Sequence, residues 1–342
     1  MLADGPAGLR IDPKRPGTDS TFYCTHFPVA TSLASTWNTP LVKSVGNAIG
    51  NETLEYGVDI LLAPATNIMR NPLCGRNFEY YSEDPILAGK LTSAMIQGIQ
   101  QNGVGTSIKH FALNNQETNR TGNNVLVSPY VMHELYLKPF EIAIRESTPW
   151  TVMSSYNKVN GEYASENSLL LDSILRRRWG YKGLVMTDWF GGQDAVKQTV
   201  AGNDLLMPGL KKQRKALKDA VENGKLSTHI LDRNVQRILE LIIKTPRFQQ
   251  YDYTNTVDLG ANARISRMAA AEGMVLLKND NLTLPLDKSQ TGRIALFGIS
   301  SYDFIPGGTG SGDVNRAYTI SLAEGLKQAG FQWDEKLAEL YD

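Results

Sequence analysis

Cysteine is nearly missing from this chain: Cys24 and Cys74 are the two among 342 residues. They stand in unrelated contexts, with no CxxC pair and no histidine-rich neighbour, which argues against a disulfide framework or a zinc site and favours buried or idle thiols. An excess of one charge is missing as well. Lys plus Arg and Asp plus Glu each number 35, and without a long run of either sign there is no electrostatic case for nucleic acid or an anionic membrane surface as partner. No apolar stretch approaches the roughly 20 residues of a membrane helix, and Met1 to Arg10 have neither a basic start nor an apolar h-region. A soluble chain with a neutral small-molecule partner, and with no cofactor or metal, is the expectation. Three Asn-x-Ser/Thr triplets, at Asn51, Asn119 and Asn281, permit glycosylation only in a secretory compartment and leave localisation open.

What is present is an alternation. From residue 29 to 207, short apolar β-rich runs alternate with longer amphipathic segments, the pattern of a parallel sheet covered by helices. Strands are expected near Val29–Ser35, Asp59–Ala63, Gly105–Phe111, Thr151–Tyr156, Gly183–Trp189 and Asp204–Met207. Helices are expected at Pro40–Leu54, Pro85–Gln101, Pro129–Glu146, Ser168–Trp179, Gln193–Val200, Lys211–Asn223 and Ile230–Lys244. The polar residues suited to chemistry cluster just after strands: Asn67 to Asp84, Lys109 to Arg120, Tyr156 to Asn160, and Asp188 with Trp189. In a (β/α)₈ barrel those strand ends form one face, so the clusters would converge on a single pocket. A doubly wound sheet would need a Gly-rich phosphate turn after its first strand, and none of GxGxxG form is there. Periodicity lapses from Phe248 to Leu259, which reads as a linker. A helix over Ala263–Lys278 and a strand over Arg293–Ile299 then begin another α/β unit, followed by the flexible loop Gly307 to Gly312.

Carboxylates, Arg, Lys, His, Trp and Tyr at strand ends suit a polyhydroxylated neutral ligand. Each sugar hydroxyl calls for a donor and an acceptor, and the ring face calls for an aromatic platform. Hydrolysis of a glycoside would need two carboxyl groups, roughly 5 to 5.5 Å apart if configuration is retained. Asp4, Glu83, Glu117 and Asp188 all sit at plausible pocket edges, and spacing alone does not say which pair works.

Four ordered segments resemble glycoside hydrolase family 3: Asp4-Gly5-Pro6-Ala7-Gly8-Leu9-Arg10, Gly75 to Pro85 (GRNFEYYSEDP), Lys109-His110-Phe111, and Met186-Thr187-Asp188-Trp189. The likeness extends over essentially the whole chain, and the Gly-Thr-Gly-Ser-Gly loop resembles one early in that family's second domain. It implies an α/β chain: a (β/α)₈ TIM-like barrel over 1–247, short of its first elements, a linker over 248–262, and the first part of an α/β-sandwich domain over 263–342. The implied activity is a retaining, exo-acting β-glycosidase removing terminal β-D-glucosyl residues through a covalent glycosyl-aspartate intermediate. Its substrate would be a β-glucoside or short β-linked oligosaccharide.

By the same resemblance Asp188 is the nucleophile. Asp4, Arg76, Lys109 and His110 bind substrate hydroxyls, and Trp189 forms one wall of the leaving-group site. Met153 and Tyr156 line the pocket, Arg10 reaches it, and Ser311 is a contact from the second domain. Arg76 and Lys109 would lower the pKa of Asp188. The acid/base glutamate is expected outside this chain, which leaves room for a second polypeptide completing the sandwich. Lys-His-Phe continues here as Ala112-Leu113-Asn114-Asn115-Gln116-Glu117, not as the Pro-Gly-His-Gly typical of the β-N-acetylglucosaminidase branch, so the glucosidase or xylosidase branch is preferred. The alternatives are a β-xylosidase or arabinofuranosidase of the same family, a non-catalytic sugar-binding pseudoenzyme, and a barrel aldolase using Lys109 as a Schiff base. Lys109 and His110 would point to opposite sides of a regular strand, so an irregular or cis peptide is expected near Lys109–Phe111.

Overall fold

The computed structural model describes residues 1–341. Its strands are β1 (Leu2–Asp4), β2 (Ile60–Leu62), β3 (Gly105–Phe111), β4 (Asn124–Val125), β5 (Thr151–Ser154), β6 (Lys158–Val159), β7 (Glu162–Tyr163) and β8 (Leu184–Thr187). Five of them form one sheet in the order β1-β2-β3-β5-β8, and every neighbouring pair is parallel. Leu205 extends the far edge through a parallel bridge to Met186. Parallel neighbours put all their C-terminal ends on one face. The register places Asp4 beside Leu62 and Ser154 beside Thr187, so the residues after these strands open onto a common floor. A small sheet of β4, β6 and β7 stands to one side.

The helices are α1 (Ala30–Ser35), α2 (Thr39–Glu55), α3 (Pro85–Gln100), α4 (Pro129–Val131), α5 (Lys138–Ser147), α6 (Ala195–Ala201), α7 (Lys211–Glu222), α8 (Thr228–Ile242), α9 (Leu259–Gly273), α10 (Leu322–Gln328) and α11 (Glu335–Ala338). Helical turns with π-type bonding join α4 towards α5 and fill Leu169–Arg178. The starts are chemically marked. Asn38 accepts from Leu41 N–H before α2, and Asp84 accepts from Ile86 and Leu87 N–H before α3, with Pro85 in the first turn. α2 and α3 approach so closely that a Cβ on Gly46 would lie 2.6 Å from the Met95 carbonyl oxygen. One apolar cluster lies between these helices and the sheet. On the sheet's other face, Leu62, Met153, Leu184 and Met186 are covered by Ile238 and Leu241 of α8. The chain is therefore α/β, a mostly parallel sheet wrapped by helices in TIM-like fashion.

Four expectations are corrected. Val29–Ser35 is not a strand but holds α1, because Ala30, Leu33 and Ala34 share a buried face at helical spacing; the strand before β2 is instead β1. Asp204–Met207 makes a single bridge, because Asp204 turns its side chain onto the ladder and accepts from Val185 N–H at 2.8 Å. Arg293–Ile299 is no strand, with Ile294 bridging only to Trp333. The helix placed at Ala263–Lys278 runs from Leu259 to Gly273 and packs on α1 and α2.

Asp204 also binds Arg176 at 2.6 Å and Arg237 at 2.8 Å. Replacing it by Ala would strand the buried Arg176 guanidinium without its anion. A loss of about 3–5 kcal/mol is expected in denaturant titration; a loss below about 1 kcal/mol would show that Arg176 finds water instead.

Candidate active site

At the C-terminal ends of the strands lies a cavity of ≈ 470 Å³. Asp4 comes from the end of β1, Leu62 from β2, Lys109 and His110 from β3, Met153 from β5, and Asp188 with Trp189 directly follow β8. The β2–α3 connection adds Gly75, Arg76 and Phe78, the segment after β3 adds Glu117 and Arg120, and Tyr156 follows β5. Thr309, Gly310 and Ser311 form a roof from the C-terminal region. That roof rests on Phe78: a Cβ on Gly308 would fall 2.7 Å from the ring, so no larger residue fits there without displacing the loop.

Lys109 and His110 both line the cavity. The Lys109–His110 and Phe111–Ala112 peptides are cis, and the β3–β5 register shifts between Ile108 and Phe111, as the need for two neighbours on one side anticipates. Asn67 clamps the His110 peptide, accepting from its N–H at 2.8 Å and donating to its carbonyl at 2.9 Å. Asn114 donates to the Tyr80 hydroxyl, which leaves the phenolic proton for His110 Nδ1 at 3.3 Å. The His110 proton is then on Nε2, 3.8 Å from Asp188 Oδ2. Burial, with Arg76, Lys109 and Arg120 nearby, holds the His110 pKa well below its ordinary value. His110 is thus a neutral donor facing the cavity, and its approach to Asp188 is not an ion pair.

The charges alternate around the floor. Arg76 pairs with Glu79; Lys109 Nζ lies 3.9 Å from Glu79 and 3.8 Å from Asp4. Flanked by two carboxylates, Lys109 has the surroundings of a charged donor, not the apolar pocket a Schiff-base lysine needs. Glu79 does not line the cavity, and its sequence gave no signal beyond belonging to the GRNFE run; as a fully buried carboxylate under two cations, it is recognisable only in three dimensions. Arg120, expected either to reach the pocket or to pair with a carboxylate such as Glu117, does both. It binds Glu117 at 2.7 Å and stacks over the Tyr156 ring, 4.7 Å from its centroid. Arg10 is the one selected residue that does not line the cavity. Its guanidinium lies 3.6 Å from Asp4 and faces a wider neighbouring cleft of ≈ 960 Å³. Glu83 is exposed, and the cap of α3 is Asp84.

Asp188 is buried, and its backbone N–H donates to the Ser154 carbonyl at 3.0 Å. Its Oδ1 accepts from Trp189 N–H at 2.7 Å, and the Tyr156 hydroxyl hydrogen-bonds to the carboxylate. Burial raises its pKa above the usual aspartate value; Arg76, Lys109 and these two hydrogen bonds pull the other way without cancelling it. The net direction corrects the expectation of a lowered value, since desolvation at this depth outweighs the two cations. The same burial and the Asp188 charge push the Tyr156 phenol up. Among the described residues no group of three His, Cys, Asp or Glu side chains is arranged to hold a metal ion.

The family model for the glycosyl hydrolase family 3 N terminal domain matches residues 9–241, and that for the C-terminal domain matches residues 274–339. The thermostable beta-glucosidase B of Acetivibrio thermocellus is 43% identical over 336 residues, covering 96% of this chain and 44% of that protein. An exo-alpha-(1->6)-L-arabinopyranosidase of Bifidobacterium breve is 36% identical over 98% of this chain and 45% of its own. Beta-glucosidase 3B of Thermotoga neapolitana, solved in complex with glucose, superposes with a TM-score of 0.95 at 50% identity, over 99% of this chain and 48% of that one. The chain spans about half the length of the relatives it matches.

Proposed function

The chain belongs to glycosyl hydrolase family 3, and on that premise we propose that it carries the glycone pocket and nucleophile of a retaining exo-β-glucosidase. The observation that carries the reading is Asp188: a buried carboxylate on the rigid end of β8, with one oxygen held by Trp189 N–H and the other turned to a cavity lined by Arg76, Lys109 and neutral His110. The same membership suggests a barrel over 1–247, a linker over 248–262 and a second domain from 263.

In this mechanism Asp4 accepts from sugar hydroxyls, while Arg76, Lys109 and His110 donate to them. Trp189 offers its face to the aglycone side, Met153 and Tyr156 pack the floor, and Ser311 reaches down from the roof. Asp188 Oδ2 attacks the anomeric carbon. The C–O bond to the aglycone breaks as its oxygen takes a proton from an acid/base glutamate supplied from outside these residues. Water, deprotonated by the same glutamate, then hydrolyses the glycosyl ester and returns Asp188 as the carboxylate. Mounting the nucleophile on a strand end and fixing it by backbone bonds supplies the orientation the attack requires.

The direct test is trapping. An activated 2-fluoroglucoside is expected to leave its label on Asp188 in peptide mapping; label on Glu117 or Glu83 would reassign the nucleophile. Comparing nitrophenyl β-D-glucoside, β-D-xyloside and α-L-arabinopyranoside settles the glycone, and faster turnover of either pentoside would displace glucose as the natural sugar.

A further expectation concerns Tyr156. Its hydroxyl stabilises the ionised form of Asp188, so Tyr156→Phe raises that pKa further and moves the acid limb of kcat/KM to higher pH. A charge-assisted hydrogen bond of about 1.5–3 kcal/mol corresponds to a loss of roughly tenfold or more in kcat/KM. An unmoved acid limb would show that Tyr156 does not touch the nucleophile in solution.

A further inference from the structure

Residues 22–27 contribute no side chain to the cavity lining, yet they bond to both sides of it. On one side Phe27 N–H donates to the Ala7 carbonyl at 2.8 Å, inside the turn that carries Asp4. Here Gly8, at φ +129, lies against the Thr25 carbonyl with no room for a Cβ. On the other side Cys24 N–H donates to the Asn315 carbonyl at 2.8 Å, and Asn315 Nδ2 donates to the Phe22 carbonyl at 2.6 Å. From below, both carboxylate oxygens of the fully buried Glu52 accept from Thr25 N–H at 3.1 Å. One of them also accepts from Asn262 Nδ2 of α9 at 2.8 Å. Residues 22–27 therefore form a strap tied to α2, to α9, to the Asp4 turn and to the segment that follows the roof.

The roof is poor in rigidity of its own. Gly307, Gly308, Gly310 and Gly312 leave it free to explore many conformations. Something outside it must set its height. Phe78 supports it from beneath, Val314 is sunk in the barrel's apolar cluster, and Asn315 fastens its trailing end.

We infer that Asn315 is a positioning residue for sugar binding: by pinning the end of the roof to the strap, it holds Ser311 at the height where it meets a sugar occupying the cavity, in register with Asp4 on the opposite wall. This rests on the sugar-pocket reading above. Asn315 is partly exposed and does not itself line the cavity, so its effect on a ligand passes through residues 309–311.

The experiment measures the dissociation constant of D-glucose by calorimetry for the unsubstituted chain, Asn315→Ala, Asn315→Asp, Ser311→Ala and the Ser311→Ala/Asn315→Ala pair, with amide hydrogen exchange on the same samples. Asn315→Asp keeps the shape and removes the donor, so it reports the bond to Phe22 and not packing. The unsubstituted chain is expected to bind glucose. Losing the bond is expected to weaken binding about twofold to tenfold and to speed exchange at Gly310 to Gly312 while β3 keeps its protection. Because the tether acts through Ser311, the double substitution is expected to bind no more weakly than Ser311→Ala alone. Unchanged affinity in both Asn315 variants, losses that multiply in the pair, or unchanged exchange in the roof would each overturn the inference. Failure of the unsubstituted chain to bind glucose would instead overturn the pocket reading beneath it.

Discussion

Asp188→Asn is expected to cut turnover by roughly 10⁴ or more, the scale seen when a nucleophilic unit is disabled, while raising the melting temperature. The first effect follows from removing the attacking anion at nearly constant shape. The second follows from its burial. The folded pKa of Asp188 lies above that of an unfolded aspartate, about 3.9, because desolvation disfavours its charge. A raised folded pKa contributes stability that is fully present below the unfolded value and is lost as pH rises through the folded one. At neutral pH the ionised side chain is therefore a destabilising element, and the neutral amide removes it. Calorimetry at pH 7 checks the sign, and the gain should shrink as pH is lowered past the folded pKa. A variant that retains activity, or one that melts earlier at pH 7, would contradict one half of the argument each.

These 342 residues, assayed alone, are expected to cleave β-glucosides poorly, because the cavity's own carboxylates are committed elsewhere. Asp4 faces Arg10 and Lys109, and Glu117 accepts from Arg120 and Asn114. Neither is an idle proton donor. General acid catalysis contributes about 10²–10⁴ in rate, so alkyl glucosides with poor leaving groups should suffer most and nitrophenyl glucosides least. Azide should partly restore nitrophenyl glucoside turnover, since it attacks a glycosyl-Asp188 ester without needing a general base. Supplying a longer family segment in trans should raise turnover further. Cleavage of cellobiose at a rate near ~10 s⁻¹, typical of an enzyme, would place the acid/base within the chain, and Glu117 would be the first residue to replace.

Much of this was readable from the residue order, and the failures have identifiable causes. α3, which starts after Asp84-Pro85, was placed within a residue, because a cap and a proline are local signals. β3 was located to the residue, being a wholly buried run that opens at Gly105. α1 was misread because which of its six residues are buried, Ala30, Leu33 and Ala34, is set by packing against α9 and is not marked along the run itself. The clustering of Arg76, Lys109, His110, Asp188 and Trp189 followed from parallel strands ending on one face, whereas Asp4, with no strand expected before it, was brought to the pocket by the family resemblance. Glu79 and the strap were invisible, since each gains its meaning from contacts with elements far away in sequence. The direction of the Asp188 pKa was missed because cations can be counted along a chain, whereas depth below the surface cannot.

Among the described residues, the roof segment joins the core beneath the floor only through Val314, which is buried in the cluster that also holds Ala3 and Leu61. The floor is built into strands packed against two large apolar clusters and a small third one. The roof belongs to a region in which Leu277, Phe297, Ile305 and Leu340 remain exposed, so it has less apolar contact to hold it in place. Mild heating or low denaturant should then peel residues 309–316 away while the sheet is still intact. Affinity for a sugar would vanish at a concentration where far-ultraviolet circular dichroism has barely changed, and dilution would restore it without refolding the barrel. A melting temperature for this chain and the temperature at which it stops recognising its ligand are thus two different numbers, and storage or process conditions should be chosen by the lower.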